Sequence, residues 1–244
     1  MKLTFAGSGD AFGSGGRFNT CFYVEAAPQT FLIDCGASSM VALNAHGLDI
    51  AAIRTIFISH LHGDHFGALP FFMLDAQFIH QRKLPLTIAG PPGMTDRLTQ
   101  AQEVLFTGSS GIDWRFDMDV VELEAEQEKE VNGVTVKPFV VDHFSGAPSY
   151  ALRLSCGGKV ITYSGDTEWV DALVPAAADA DLFICECYGY EGNTPLHIDY
   201  ATLRKKHHLF TAKRMIITHM GPGMLDNLDT VEFEPAHDGM VVEV

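Results

Sequence analysis

Six consecutive positions in the run TIFISHLHGDHFGAL carry His60, His62, Asp64 and His65, directly after the apolar residues 55–59. Three imidazoles and a carboxylate at the end of a buried strand cannot all be packed as core. Each imidazole needs a polar partner, and a carboxylate without one is costlier still. A turn at Gly63 would converge them on a divalent cation, and imidazole with carboxylate suits zinc, manganese or iron better than calcium. The same placement recurs downstream, where His143 follows Val140-Val141-Asp142, Asp166 follows residues 161–165, and His219 follows Ile216-Ile217-Thr218. Any one of these is an ordinary strand-end residue. Together with the HxHxDH cluster they place ligands for a metal pair along one edge of the sheets.

The elements that must position them are short. Runs of β-branched and aromatic residues predict strands at 3–6, 21–25, 31–33, 55–59, 86–89, 134–141, 150–154, 160–163, 182–185 and 215–218, most bounded by Gly, Pro, Asp or Asn. Helices are expected over 67–80, from Pro91-Pro92 to about Phe106, over 168–178 and over 199–209. In the first of these, Phe71, Phe72, Phe78 and Ile79 fall at near-helical spacing and are expected in the core. Hairpin-length loops join the early strands and helices separate the later ones, which favours mixed sheets covered by helices. The charge run VELEAEQEKE at 121–130 reads as a solvated strand end or loop. No repeat and no Pro-, Gly- or Ser-rich linker interrupts the chain, so 1–244 reads as one domain.

HLHGDH, His143, the GDT triplet at 165–167 and ITH at 217–219 resemble, in the same order and over nearly the whole chain, the metal signature of the metallo-β-lactamase superfamily. The resemblance implies an α/β (α+β) fold, a four-layer αβ/βα sandwich of two mixed β-sheets flanked by helices, with two divalent metal ions. Zinc is the first expectation, with manganese or iron as alternatives. Carried over residue by residue, His60, His62 and His143 would bind one ion, Asp64, His65 and His219 the other, and Asp166 would bridge. The opening AGSGDAFGSGGRFNT is similar to the N-terminal motif of ribonuclease Z-like phosphodiesterases, and Asp166 stands where some thiolate-using β-lactamases place Cys. His197, in PLHIDYATL, resembles the extra histidine of that branch, so the resemblance makes Asp64 and His197 the catalytic residues. His197 as imidazolium would donate a proton to the departing alkoxide, while water activated between the two cations attacks phosphorus. Glu186 is either the partner that orients His197 or a plain strand-end carboxylate.

Transfer-RNA-processing members carry a long arm between the ligands matching His143 and Asp166, whereas 22 residues separate those positions here. The resemblance is therefore closer to enzymes of small phosphodiesters, in the manner of the phosphoribosyl cyclic phosphodiesterases. Cys21 stands alone near the N-terminus, so the Cys-rich structural zinc site of some such enzymes is not expected.

Composition agrees. A chain of 244 residues, 47% hydrophobic, buries a substantial core and is neither disordered nor collagen-like. With 31 acidic against 16 basic residues and a formal charge of -15, a small anionic phosphodiester substrate is favoured over nucleic acid, although a local basic cleft is compatible with that total. Five scattered cysteines read as reduced, buried thiols of a cytosolic protein. The N-terminus lacks signal-peptide character, and no window approaches the roughly 20 apolar residues of a membrane span, so a soluble, cytoplasmic protein is expected, with room for a homodimer. Ser8, Gly9 and Asp10 with residues 13–16 form a glycine-rich loop whose amides would approach a phosphate, or a plain turn. No GxSxG elbow surrounds Ser8 or Ser164, which disfavours serine hydrolase chemistry. Rival readings are a tRNA 3'-processing endoribonuclease, a hydrolase of a thioester, lactone or β-lactam, and a noncatalytic metal-dependent binding module.

Overall fold

The computed structural model describes residues 1–192 and 194–244. The first half runs β1 (Lys2–Gly7), β2 (Cys21–Ala26), β3 (Gln29–Ile33), α1 (Ser39–Ala45), β4 (Thr55–Phe57), the single turn α2 (Gly63–Phe66), α3 (Leu69–Phe78), β5 (Leu86–Gly90), α4 (Met94–Leu105) and β6 (Met118–Glu122). The second continues with β7 (Lys129–Val131), β8 (Val134–Val141), β9 (Ser149–Cys156), β10 (Lys159–Tyr163), α5 (Leu173–Ala177) and β11 (Leu182–Glu186). It closes with α6 (Tyr200–Lys206), β12 (Met215–Thr218), α7 (Pro222–Leu225), β13 (Glu234–Pro235) and β14 (Val241–Glu243).

These strands build two seven-stranded sheets, ordered β14-β1-β2-β3-β4-β5-β6 and β13-β12-β11-β10-β9-β8-β7. Each is mixed in the same way: β14 to β3 and β7 to β10 pair antiparallel, while β3 to β6 and β10 to β13 pair parallel. Side chains of a strand alternate between faces, and here both faces are apolar. Phe22, Val24, Phe31, Ile33, Leu152, Leu154, Leu182, Ile184 and Ile216 point between the sheets. The intervening Tyr23 and Leu32 pack under α1, α3 and α4, and Ala151, Phe183, Cys185 and Ile217 pack under α5, α6 and α7. Four layers result, helix, sheet, sheet, helix, which is the αβ/βα sandwich expected. Such runs read as continuous hydrophobic stretches because neither face meets water.

The parallel halves fix where the chemistry collects. Strands β3, β4, β10, β11 and β12 each end in a polar residue or run into one within two residues, and β8 runs in the same direction as β10 because β9 pairs antiparallel with both. Their C-terminal ends therefore share one edge, the usual location of sites in sheets of this kind.

Three local expectations change. Phe72 is fully buried, but Phe71, Phe78 and Ile79 are 42, 58 and 73% exposed. Helix α3 is apolar over most of its surface, and the stripe of Leu69, Phe72, Met73 and Ala76 packs into the core, as i, i+3, i+4, i+7 geometry requires, which leaves Phe71 and Phe78 on the outer side. The helix expected from Pro91-Pro92 begins at Met94, because Gly93 takes the left-handed conformation (φ 86°) and reorients the chain first. The helix expected over 168–178 shrinks to α5, since the backbone amides of Thr167 and Glu168 are bound to Glu186 and to the Asp142 carbonyl before any helix starts. Helix α6, the edge strands β7, β13 and β14, and α1 complete the frame.

Candidate metal centre

His60 lies three residues beyond β4, and the chain then turns through His62 into α2, which carries Asp64 and His65. The turn is tight against the neighbouring loop: a Cβ at Gly36 would sit 2.0 Å from the Asp64 carbonyl oxygen. Only glycine allows that approach. His143 follows β8, Asp166 follows β10 across the left-handed Gly165 (φ 62°), and His219 follows β12 in the left-handed region itself (φ 57°). All seven side chains predicted as ligands converge.

Two groups form. One nitrogen each from His60, His62 and His143 lie within 4.8 Å of one another, as do ligand atoms of Asp64, His65, Asp166 and His219. Asp166 Oδ2 lies between the groups, 3.2 Å from His65 Nε2, 3.3 Å from His219 Nε2, 3.8 Å from His60 Nε2 and 3.9 Å from His143 Nε2. His62 Nδ1 is 3.0 Å from His143 Nε2. His60 Nε2 and Asp166 Oδ1 are buried without a hydrogen-bond partner. Orphaned acceptors at this depth are costly unless a cation takes their lone pairs.

The opposite ring nitrogens are already engaged, which sets the tautomers. His65 Nδ1 donates to Asp34 Oδ2 (2.6 Å), His143 Nδ1 donates to the Leu196 carbonyl (2.8 Å), and His60 Nδ1 lies 3.1 Å from Ser59 Oγ, which itself donates to Asp34 Oδ2 (2.7 Å). His219 Nδ1 is 3.4 Å from Thr20 Oγ1. In each case Nε2 is left for the centre. Burial lowers the proton affinity of His60, His143 and His219, so these rings stay neutral bases. His65 goes the other way: burial pulls it down, but Asp166, Asp64 and Asp34 around it hold its pKa well above the ordinary value. Burial would raise Asp166 as well, yet His219 and His65 hold it well below the usual carboxylate range. A pocket in which three carboxylates compete for one imidazole proton has a strongly negative potential, suited to cations.

Asp34 is a residue that sequence reasoning missed. It is fully buried, sits in the left-handed region (φ 59°) one residue past β3, and accepts from Ser59 N, Ser59 Oγ and His65 Nδ1. The signal was present in FLIDCG, since a carboxylate just past an apolar strand is the pattern that picked out Asp166. Asp34→Ala is expected to lower cation affinity about 10- to 100-fold, the usual cost of removing an orienting carboxylate behind a ligand histidine. Chelator competition on the metal-loaded, folded variant checks this, and wild-type affinity would remove Asp34 from the site.

His197 completes the cluster. Its Nδ1 faces both oxygens of the fully buried Glu186 (3.1 and 3.2 Å), whose Oε1 also accepts from Thr167 N (2.5 Å). Burial pushes Glu186 up to about 7. Burial also pulls His197 down, but the Glu186 bond outweighs it and raises His197 to about 9. Tyr188 stacks on the His197 ring at 4.9 Å, a contact with no sequence signal. His143, Asp166 and His197 form a third group of converging ligand atoms.

Of the two forms expected of the glycine-rich loop, the bonds are those of a turn closed on itself. Asp10 Oδ1 accepts from the backbone of Phe12 and Ser14, Asp238 accepts from Ser8 N, and Gly9, Gly13 and Gly16 donate to carbonyls of the loop itself. These amides are therefore occupied. What the loop sends into the cleft is Ala11 and Phe12, which with Tyr188, Leu196 and the metal-site residues line a cavity of about 340 Å³.

The four-layer fold and this His/Asp edge define a metal-dependent hydrolase of the metallo-β-lactamase fold, in its ribonuclease Z-like branch. It binds divalent metal. A family model described as Anti-Pycsar protein Apyc1 matches residues 1–235, and the chain belongs to that family. It is also 28% identical over 194 residues to ribonuclease Z of Mycobacterium bovis BCG, covering 75% of this chain and 69% of that protein. Among solved structures, the short form of human tRNase Z superposes with a TM-score of 0.79 at 25% identity, covering 100% of this chain and 99% of that one. The metallo-β-lactamase fold protein YhfI from Bacillus subtilis superposes with a TM-score of 0.80 at 19% identity, covering 100% and 98%.

Proposed function

We propose that the protein, acting as one domain over 1–244, is a cytoplasmic phosphodiesterase of small phosphodiesters. On this reading two divalent ions, zinc before manganese or iron, are held by His60, His62 and His143 and by Asp64, His65 and His219, with Asp166 between them. When bound, the ions supply Lewis-acid stabilisation of the phosphoryl oxygens and a water acidic enough to attack at neutral pH. The chain's own residues do the rest. Neutral His60, His143 and His219 present Nε2 as base, fixed by the partners on Nδ1. Asp34 accepts the hydrogen bond from His65 Nδ1 and so orients that ring. Glu186 accepts from His197 Nδ1, which keeps the ring protonated and leaves Nε2 as the donor to the leaving oxygen in the cleft it lines.

The observation that carries the choice of substrate is the cleft. Its volume is about 340 Å³, within the range of small-ligand sites, and neither Lys nor Arg is among its lining residues. The adjoining cavity of about 300 Å³ beyond His197 is lined without Lys or Arg as well. A polyanion that must be gripped along its backbone needs such cations. The 22 residues between His143 and Asp166 are spent on a tight loop and the β9–β10 hairpin inside the sheet, which leaves nothing to project as an RNA clamp. The family's description calls its members anti-Pycsar proteins, and the chemistry assigned here to that role is phosphodiester hydrolysis.

Metal-loaded protein offered bis(p-nitrophenyl) phosphate, small cyclic phosphodiesters, a thioester, nitrocefin and precursor tRNA is expected to turn over the phosphodiesters at least tenfold faster than the rest. Preferred cleavage of precursor tRNA would restore the endoribonuclease reading. Turnover of the thioester or lactam alone would move the chemistry to carbonyl carbon, and a metal-replete protein inert to the whole panel would make it a binding module.

A further inference from the structure

We propose that Glu168 is a positioning residue that holds the centre through the backbone of Leu196. The inference rests on the reading that His143 is a metal ligand. Leu196 is a non-glycine residue in the left-handed region (φ 69°), and its side chain is 41% exposed, so packing does not hold it there. Side chains with a Cβ rarely adopt that conformation unless the surroundings impose it. A turn closed by His197 N donating to the Thr194 carbonyl (3.3 Å) places Leu196 after Pro195 at the position that takes this conformation, and two further bonds fix it there. Glu168 Oε1 accepts from Leu196 N at 2.7 Å, and the Leu196 carbonyl accepts from His143 Nδ1 at 2.8 Å. The Leu196 residue is thus clamped between a carboxylate and a ligand imidazole.

The clamp has two outputs. The carbonyl fixes the tautomer that leaves His143 Nε2 facing His62 Nδ1 and Asp166, and the next residue in the chain is His197. Glu168 is itself anchored from behind, because its amide donates to the Asp142 carbonyl (3.0 Å) and its carbonyl accepts from Thr167 Oγ1 (2.6 Å). It follows Asp166 by two positions, so the strand end that supplies Asp166 also supplies the brace for the opposite wall of the cleft. Its carboxylate touches no predicted ligand and opens on the cavity beyond His197, which separates its role from that of Asp64 or Asp166. Removing an orienting partner of this kind typically costs 10- to 100-fold in metal affinity or activity.

Graded chelator competition on zinc-loaded wild type, E168Q and E168A, with the visible spectra of the cobalt-substituted forms and kcat on bis(p-nitrophenyl) phosphate, tests the assignment. E168A is expected to release one of its two ions at least tenfold more readily and to lose kcat in proportion, with circular dichroism unchanged. E168Q, whose amide oxygen still accepts from Leu196 N, is expected within threefold of wild type. In the double variant E168A/L196G, glycine takes φ 69° without strain and is expected to recover at least threefold of the lost affinity. Wild-type metal retention in E168A, an E168Q as impaired as E168A, or no recovery in the double variant would each overturn the proposal. A wild-type protein that hydrolyses no phosphodiester would sink the proposed activity alone, since the chelator and cobalt measurements read the clamp without it.

Discussion

His197→Ala is expected to keep both metal ions and to lose roughly 10²- to 10⁴-fold in kcat, the range typical of a general acid. The loss should depend on the leaving group. A nitrophenolate departs as a stable anion and needs little protonation, whereas an alkoxide departing from a sugar or alkyl ester needs the proton in the transition state. The deficit is therefore expected to be largest on alkyl phosphodiesters and smallest on bis(p-nitrophenyl) phosphate. The substitution is local: the His197 side chain is 19% exposed, and the buried Glu186 it leaves behind still accepts from Thr167 N. Burial already pushes Glu186 up to about 7, so near neutrality the orphaned carboxyl can take up a proton instead of remaining a buried charge. Equal loss on both ester types would mean that His197 binds substrate and gives it no proton. Normal turnover in metal-replete His197→Ala would remove it from the mechanism.

How much of this could be read in the chain follows from which signals are local. The strands were legible because a residue pattern of two or three apolar positions bounded by Gly, Asp or Asn survives without its neighbours, and nearly all the strands predicted appear within a residue or two of their bounds. The ligand positions were legible for the same reason, since His60, His143, Asp166 and His219 each follow one of those runs and His62, Asp64 and His65 fall within five residues of His60. Helix limits and the solvent faces of α3 were not. Gly93 delays one helix by its own left-handed backbone, Glu186 and the Asp142 carbonyl delay another through contacts distant in sequence, and three of the four aromatic or aliphatic residues expected in the core from that helix are exposed because the sheet covers only one stripe. Asp34, Glu168 and Tyr188 were missed for a related reason. Each touches a predicted site residue or the backbone behind it, and such partners have no spacing of their own. Asp34 alone carries the strand-end signature, one residue past β3.

Asp166→Ala is expected to have the larger effect on metal. Asp166 Oδ2 lies within 3.9 Å of four imidazole nitrogens, so its removal takes an anion from between both groups and leaves His60, His65, His143 and His219 facing one another across a gap. The cost should exceed the roughly 10- to 100-fold typical of losing a partner behind a ligand, with occupancy falling below two ions per chain at chelator concentrations the wild type survives and kcat below about 1% of wild type. Asp166→Asn separates charge from shape, because it fills the same volume and removes only the negative charge. It is expected to fall with Asp166→Ala, since what balances two cations in a buried pocket is charge. A second readout needs no substrate. A ligand bound only by the folded state stabilises it by RT ln(1 + [L]/Kd), about 2.7 kcal/mol at a hundredfold excess over Kd, so zinc should raise the wild-type melting temperature by several degrees and leave that of Asp166→Ala nearly unmoved. Retention of two ions and full activity in Asp166→Asn would show that the two histidine groups bind their ions independently. In that case the carboxylate at the junction of β10 and the GDT turn would be structural, and the reading of Asp166 as the anion shared by the two ions would have to be given up.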